Sequence, residues 1–250
     1  MENLNSDYIR LVISDTHLGS VHSKEKELYS FLESTEYDEL ILAGDIVEFL
    51  RKPEFTESTF NIIKHVLSCN KKVVYIVGNH DDALDSFIGK DVAGVQFVKS
   101  YEFDYADRKY RIQHGDQYDT GIVKWRYTIE FVSFVQNMIE RIFNIDLTTW
   151  WANRQIKKRQ LRRIWDLVKW NEDADVFIMG HTHNPEVLIW VDKNEKIKTY
   201  VNTGDWVDNC TYVLIKDGHV RLRKWTPVNQ SNPADDMVLL STWVGQHDRT

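Results

Sequence analysis

The sequence predicts an α/β protein built on a largely parallel, covered sheet, and three observations carry that reading. Residues 8–14, 40–43 and 72–77 are short, nearly continuous apolar runs. Such runs suit strands buried on both faces rather than on one. Between them, around residues 24–32 and 57–67, apolar positions recur at helical spacing, which gives a βαβαβ layout. Each run also ends in a short polar motif: Ser14-Asp15-Thr16-His17, Gly44-Asp45 and Gly78-Asn79-His80-Asp81. In open α/β sheets the ligand crevice lies beyond the carboxyl ends of the strands, so these motifs are placed to share one site.

Further along the chain, residues 95–113 switch to short alternating segments with a polar break at 106–108, a hairpin pattern. Residues 122–170 hold neither Gly nor Pro and read as two helices. In the first, Trp125, Ile129, Val132, Val135, Ile139 and Phe143 form a helical stripe; the second is rich in Arg and Lys. Strand patterns return at 186–191, 198–202, 212–216 and 219–224, the last two joined across an Asp217-Gly218 turn signal. They suggest a second sheet that continues or faces the first. The tail from Pro227 is polar apart from residues 237–240 and is assigned no element. With 250 residues and no clear linker, the chain reads as a single domain, 1–250, carrying a helical insertion at 122–170.

Composition removes several classes of function. The chain has 38 acidic against 31 basic side chains, a net charge of −7, which argues against broad nucleic-acid binding. A bound cation can still reverse the local field for an anionic substrate. Two cysteines cannot build a disulfide framework and fit a reducing, cytoplasmic setting. The N-terminus lacks the basic and apolar regions of a signal peptide, and no apolar run reaches the roughly 18 residues of a membrane span.

Five motifs bear the chemistry: Asp15-Thr16-His17, Gly44-Asp45, Gly78-Asn79-His80-Asp81, His114-Gly115-Asp116 and Gly180-His181-Thr182-His183. Alone, Asp-x-His or Gly-Asp is more often a turn with a satisfied polar group. Five together, each at or near a strand end, point to one centre. Asp, His and Asn supply oxygen and imidazole ligands without thiolate, a set suited to Mn, Fe, Zn or Mg. Asp15 and His17 are two apart, so on an extended strand end both side chains face one way, and His181 and His183 share that spacing. Seven such ligands exceed the four that one structural zinc takes. Two metals about 3.5–4 Å apart, bridged by a carboxylate, use them all, and Asp45 alone at its strand end is the natural bridge.

This ordered set resembles the calcineurin-like metallophosphoesterase family over roughly residues 8–225. The resemblance implies an α/β sandwich of two central sheets flanked by helices. It implies one metal on Asp15, His17, Asp45 and His183, and a second on Asp45, Asn79, His114 and His181, with manganese the foremost candidate. It implies hydrolysis of a phosphoester or pyrophosphate by a hydroxide bridging the metals, and it makes His80 the histidine that protonates or stabilises the leaving group. Asp81 and Asp116 are expected to orient His80 and His114.

Ser14 to Gly19, His114 to Asp119 and Asn202-Thr203-Gly204-Asp205-Trp206 resemble more narrowly the branch containing the UDP-2,3-diacylglucosamine pyrophosphohydrolases. That branch implies a lipid-linked nucleotide substrate and a helical insertion over its acyl chains, where this chain has 122–170. It usually carries Arg where this chain has His80. Two readings of the insertion stay open. In one it is a helical pair packed on the core with a solvated basic face. In the other it is a lid whose Arg154, Lys157 and Arg159 meet phosphate, with peripheral membrane contact through 148–170. Two other functions also stand: a nuclease or cyclic-nucleotide phosphodiesterase using the same centre, and a non-catalytic scaffold of the same fold.

Overall fold

The computed structural model describes residues 8–50, 52–118, 173–192 and 194–227. Both the insertion at 122–170 and the tail patch at 237–240 lie outside the described residues, with Arg154, Lys157 and Arg159. The chain divides into two compact units, one formed by residues 1–114 and 172–250, the other by 115–171. The first unit carries both sheets and every metal-ligand candidate.

The βαβαβ reading appears as β1 (Arg10–Ile13), α1 (Glu25–Ser34), β2 (Glu39–Ala43), α2 (Glu57–Ser68) and β3 (Lys72–Ile76). The three strands pair in parallel, β1 with β2 and β2 with β3. Their residues are buried throughout except Lys72, as expected of strands covered on both faces. Thr56 caps α2: its hydroxyl accepts from the Thr59 backbone N–H, while the Thr59 side chain accepts from the Thr56 N–H.

The rest of the unit is β4 (Asp91–Val92), β5 (Val95–Val98), β6 (Ser100–Tyr105), β7 (Arg108–Gln113), β8 (Val176–Met179), β9 (Glu186–Val191), β10 (Ile197–Asn202), β11 (Thr211–Lys216) and β12 (His219–Lys224). They form a seven-stranded sheet, β12-β11-β1-β2-β3-β5-β4, and a five-stranded sheet, β6-β7-β8-β10-β9. The late strands are therefore shared out. β9 and β10 enter the second sheet, whereas β11 and β12 return to the first, β11 lying antiparallel to β1. Long-range pairing of this kind leaves no local signal in the sequence.

Two apolar layers result. One lies between the sheets and joins Val12, Ile41 and Val74 to Tyr110, Ile112, Val176 and Ile178. The other lies on the outer face of the first sheet, where α1 and α2 bury Leu28, Phe31, Leu32 and Ile62 against it. The fold is thus an α/β sandwich of two mixed sheets. β1, β2, β3 and β8 run parallel within their sheets and deliver their following loops to one region.

Candidate metal centre

Each metal-ligand candidate sits on a loop just past a strand. The loops after β1 and β2 are zipped together: the Asp15 N–H donates to Gly44 O at 3.0 Å, His17 N–H to Asp45 O at 3.0 Å and Leu18 N–H to Ile46 O at 2.8 Å. The Gly180 N–H donates to His114 O at 3.0 Å, joining the loops after β8 and β7. Asp15, His17, Asp45, His181 and His183 all adopt positive φ, between 46° and 65°. Conformations of that kind cost of order 1–3 kcal/mol each and persist where surrounding structure holds them. Contrary to what their spacing predicts, Asp15 and His17 do not share a direction by extending a strand. β1 ends at Ile13, and left-handed turns aim both side chains inward.

Their acceptor atoms converge. Asp15 Oδ1 lies 3.2 Å from His183 Nε2, and His183 Nε2 lies 3.3 Å from His17 Nε2. Asp45 Oδ2 lies 3.1 Å from His114 Nε2, which is 3.2 Å from Asn79 Oδ1. Two groups gather enough donors for a cation: Asp15 with His17 and His183, and Asp45 with His114 and His181. A third, His17 with Glu48 and His80, borders the first. The carboxylates of Asp15 and Asp45 are fully buried, whereas His80 and His183 are partly open to solvent. The floor of the site is therefore anionic and buried, with His17 and His114 buried beside the carboxylates and His80 and His183 on the more open side.

Charge balance in this floor requires positive partners. Burial pushes the Asp45 carboxyl up, but the charge of and hydrogen bond from His114 outweigh it and hold the group well below the carboxylate range. Burial also pushes Asp15 up, and His183 reverses that effect. His183 itself is raised: burial lowers it, and the Asp15 charge more than compensates.

The surrounding groups fix the imidazoles. Nδ1 of His114 faces the Ala43 carbonyl at 3.0 Å, and that carbonyl can only accept, so Nδ1 carries a proton. In the neutral ring Nε2 then offers a lone pair toward Asp45 Oδ2 and Asn79 Oδ1, both acceptors. Only a cation between them, a proton or a metal ion, makes that arrangement favourable, and the donor set fits a divalent metal. Ala43 thus occupies the orienting position expected of Asp116, which lies in a short 3₁₀ turn, Asp116–Tyr118.

Asp81 also differs from expectation. Its carboxylate accepts from the backbone N–H groups of Val47 at 2.8 Å, Ile46 at 3.2 Å and Gly78 at 3.2 Å, and from the Tyr75 hydroxyl at 2.9 Å. It ties the loops after β2 and β3 together. Burial and the nearby Asp45 charge push its pKa up to about 6. The acid beside His80 is Glu48, whose Oε1 lies 2.8 Å from His80 Nδ1 and whose Oε2 lies 3.0 Å from His17 Nδ1. Burial raises Glu48, but the hydrogen bonds from both imidazoles overcome this and bring it down to about 2. The sequence signal for Glu48 was its position three residues after Asp45. His80 in turn is raised: burial lowers it, and the Glu48 hydrogen bond outweighs that. Its backbone N–H donates to Asp45 Oδ1 at 2.8 Å, which seats the ring beside the centre.

Asp205 is a second acid without an assigned role in the motif reading. Its Oδ1 accepts from the N–H groups of Val207, Asp208 and Asn209, and its Oδ2 lies 3.7 Å from His183 Nδ1. Asn209 Nδ2 donates to both Asp205 Oδ2 and His183 O, so this loop positions His183.

Comparison with known proteins gives the class. The calcineurin-like phosphoesterase superfamily domain matches residues 10–134. The chain belongs to the calcineurin-like phosphoesterase superfamily. Among curated proteins it is similar to a UDP-2,3-diacylglucosamine hydrolase of Tolumonas auensis, with 23% identity over 239 residues, covering 85% of this chain and 95% of that protein. Solved structures similar to it include the phosphoesterase Yfce from E. coli, at 13% identity and TM-score 0.46 over 86% of this chain and 92% of that one. Vps29 of Chaetomium thermophilum is similar at 12% identity and TM-score 0.48 over 91% and 93%. Among the described residues no helix is long and apolar enough to cross a membrane.

Proposed function

We propose that this chain is a dinuclear metal-dependent phosphoesterase that hydrolyses a phosphoester or pyrophosphate bond. The observation that carries it is the convergence of Asp15, His17, Asp45, Asn79, His114 and His183, whose ligand-type N and O atoms lie 3.1–3.3 Å from one another in successive pairs. Asp15, His17, Asp45 and His183 would hold one cation, and Asp45, Asn79, His114 and His181 the other. When bound, two divalent ions, with manganese the first choice, supply a water of lowered pKa and Lewis-acid stabilisation of phosphoryl oxygens.

The chain's own residues do the rest. Glu48 accepts from Nδ1 of His80, which leaves Nε2 to face the substrate. The raised pKa of His80 keeps more of it protonated near neutrality, as a proton donor to the departing oxygen requires. Asp45 holds the His80 backbone, so the donor keeps a fixed distance from the reacting phosphorus.

For the substrate we infer a lipid-linked nucleotide, supported by the name of the Tolumonas auensis relative. A panel with manganese tests both levels: UDP-diacylglucosamine, other nucleotide diphosphate lipids, cyclic nucleotides, single-stranded DNA and aryl phosphates. Turnover of UDP-diacylglucosamine far above the rest is expected. Preference for cyclic nucleotides or DNA rejects the substrate, and loss of all turnover with no bound metal rejects the class in favour of a scaffold.

A further inference from the structure

A cavity of about 140 Å³ lies on the outer face of the first sheet, beneath the helices. Its walls come from Leu28 and Leu32 of α1, Ile62 and Val66 of α2, and Leu42 and Phe97 of the sheet. Protein interiors are packed like organic crystals, so a void of this size needs an account.

Water does not supply one. The cavity's two hydroxyls are already committed. Thr16 Oγ1 donates to Ile46 O at 2.8 Å, and the Tyr75 hydroxyl donates to Asp81 Oδ1 at 2.9 Å. A water needs two to four polar partners, and a cavity lined by aliphatic groups stays dry; a void of about 150 Å³ of that kind takes up a six-carbon molecule. On α2, Ile63 and Leu67 line the space, and Leu67 is 51% exposed, so the cavity borders solvent beside it.

We propose that this cavity takes the hydrocarbon tail of a single-chain amphiphile, entering beside Leu67 and leaving its polar head in solvent. About six carbons fill the space, and the tail gains the transfer free energy of each buried methylene. Thr16, Leu18, Ile46 and Val47 form the inner wall. The tail therefore rests against the two loops that carry Asp15, His17 and Asp45, on the side away from the acceptor cluster. Binding here does not depend on which phosphoester the centre cleaves.

The test is a titration of the full-length protein with 1-hexanol and with 1,6-hexanediol, read by methyl NMR. Hexanol should give saturable shifts at Leu18, Ile46, Ile62 and Leu67. The diol should bind at least about tenfold more weakly, because its inner hydroxyl would be buried without a partner. Val66→Phe fills the cavity and should abolish the saturable shifts. Val66→Leu, which adds one methylene and is the gentler change should the Phe variant fail to fold, should weaken them severalfold. Shifts that never saturate, equal affinity for the diol, or undiminished binding in a folded Val66 variant would overturn the proposal.

Discussion

Asp45 makes two kinds of contact with different consequences. Its side chain approaches His114, and it accepts from the His80 backbone. If it bridges two cations, as proposed, it has no substitute, so Asp45→Ala should abolish turnover and lower metal content, measured by elemental analysis. His80 is not assigned to a metal. His80→Ala should keep both ions while losing about 10²–10⁴-fold in rate, with a smaller loss on an activated aryl ester whose leaving group needs little protonation. Metal loss in step with rate would make His80 a ligand. Glu48 is a positioning residue for both His80 and His17, and its test is a titration. Its folded pKa of about 2 lies below the ordinary 4.5, so its contribution to stability is present above 4.5 and lost as pH falls through about 2. The His80 contribution has the opposite sign, being present below 6.5 and lost as pH rises through the raised value. The stability gap between the metal-free wild type and Glu48→Gln should therefore be widest between about pH 4.5 and 6.5. In the variant, the His80 pKa followed by NMR should fall. An unchanged His80 titration would remove Glu48 from this role.

At the scale of elements, the centre depends on how closely the loops after strands approach one another. A Cβ on Gly180 would overlap Asp15 Oδ2 and Ser14 Oγ, and one on Gly78 would overlap Asp45. Both neighbours are buried and hydrogen-bonded, so neither can retreat cheaply. Gly180→Ala should push Asp15 from its place and weaken metal binding by about tenfold or more, measured by isothermal titration, while the circular dichroism of the sheets persists. Metal affinity unchanged in a folded variant would show that the loops have slack. The same closeness explains why Glu48 and Ala43 took the places expected of other residues. Once two loops are zipped by backbone hydrogen bonds, the nearest acceptor is decided by the third dimension, and adjacency in sequence does not predict it.

At the scale of the whole molecule, the insertion at 122–170 remains a proposal. If it is a lid, its basic residues bind remote parts of the substrate, and that binding positions the phosphorus. Replacing Arg154, Lys157 and Arg159 with Ala should then reduce kcat/KM on a lipid-linked nucleotide by about tenfold or more and leave a small aryl phosphate nearly unchanged. With melting temperature as a control, equal losses on both substrates, or none on either, would favour the packed-core reading, since surface changes usually stay within about 0.5 kcal/mol.

Residue order alone was enough for the βαβαβ half, the strand ends and the side chains placed there. Periodicity and turn chemistry are local, and each motif follows its strand within a few residues, so Asp15, Asp45 and Asn79 could be placed at one end of a sheet from the sequence. β8, Val176–Met179, is the one strand before a ligand motif that the sequence pattern did not assign. Which sheet each late strand joined was settled only in three dimensions, because pairing of β11 with β1 depends on partners some 200 residues apart. The same holds for Glu48 serving two histidines, Asp81 bracing loops and Ala43 facing His114. Each of these is a contact between groups brought together by buried backbone hydrogen bonding and close packing, and residue order carries no record of it.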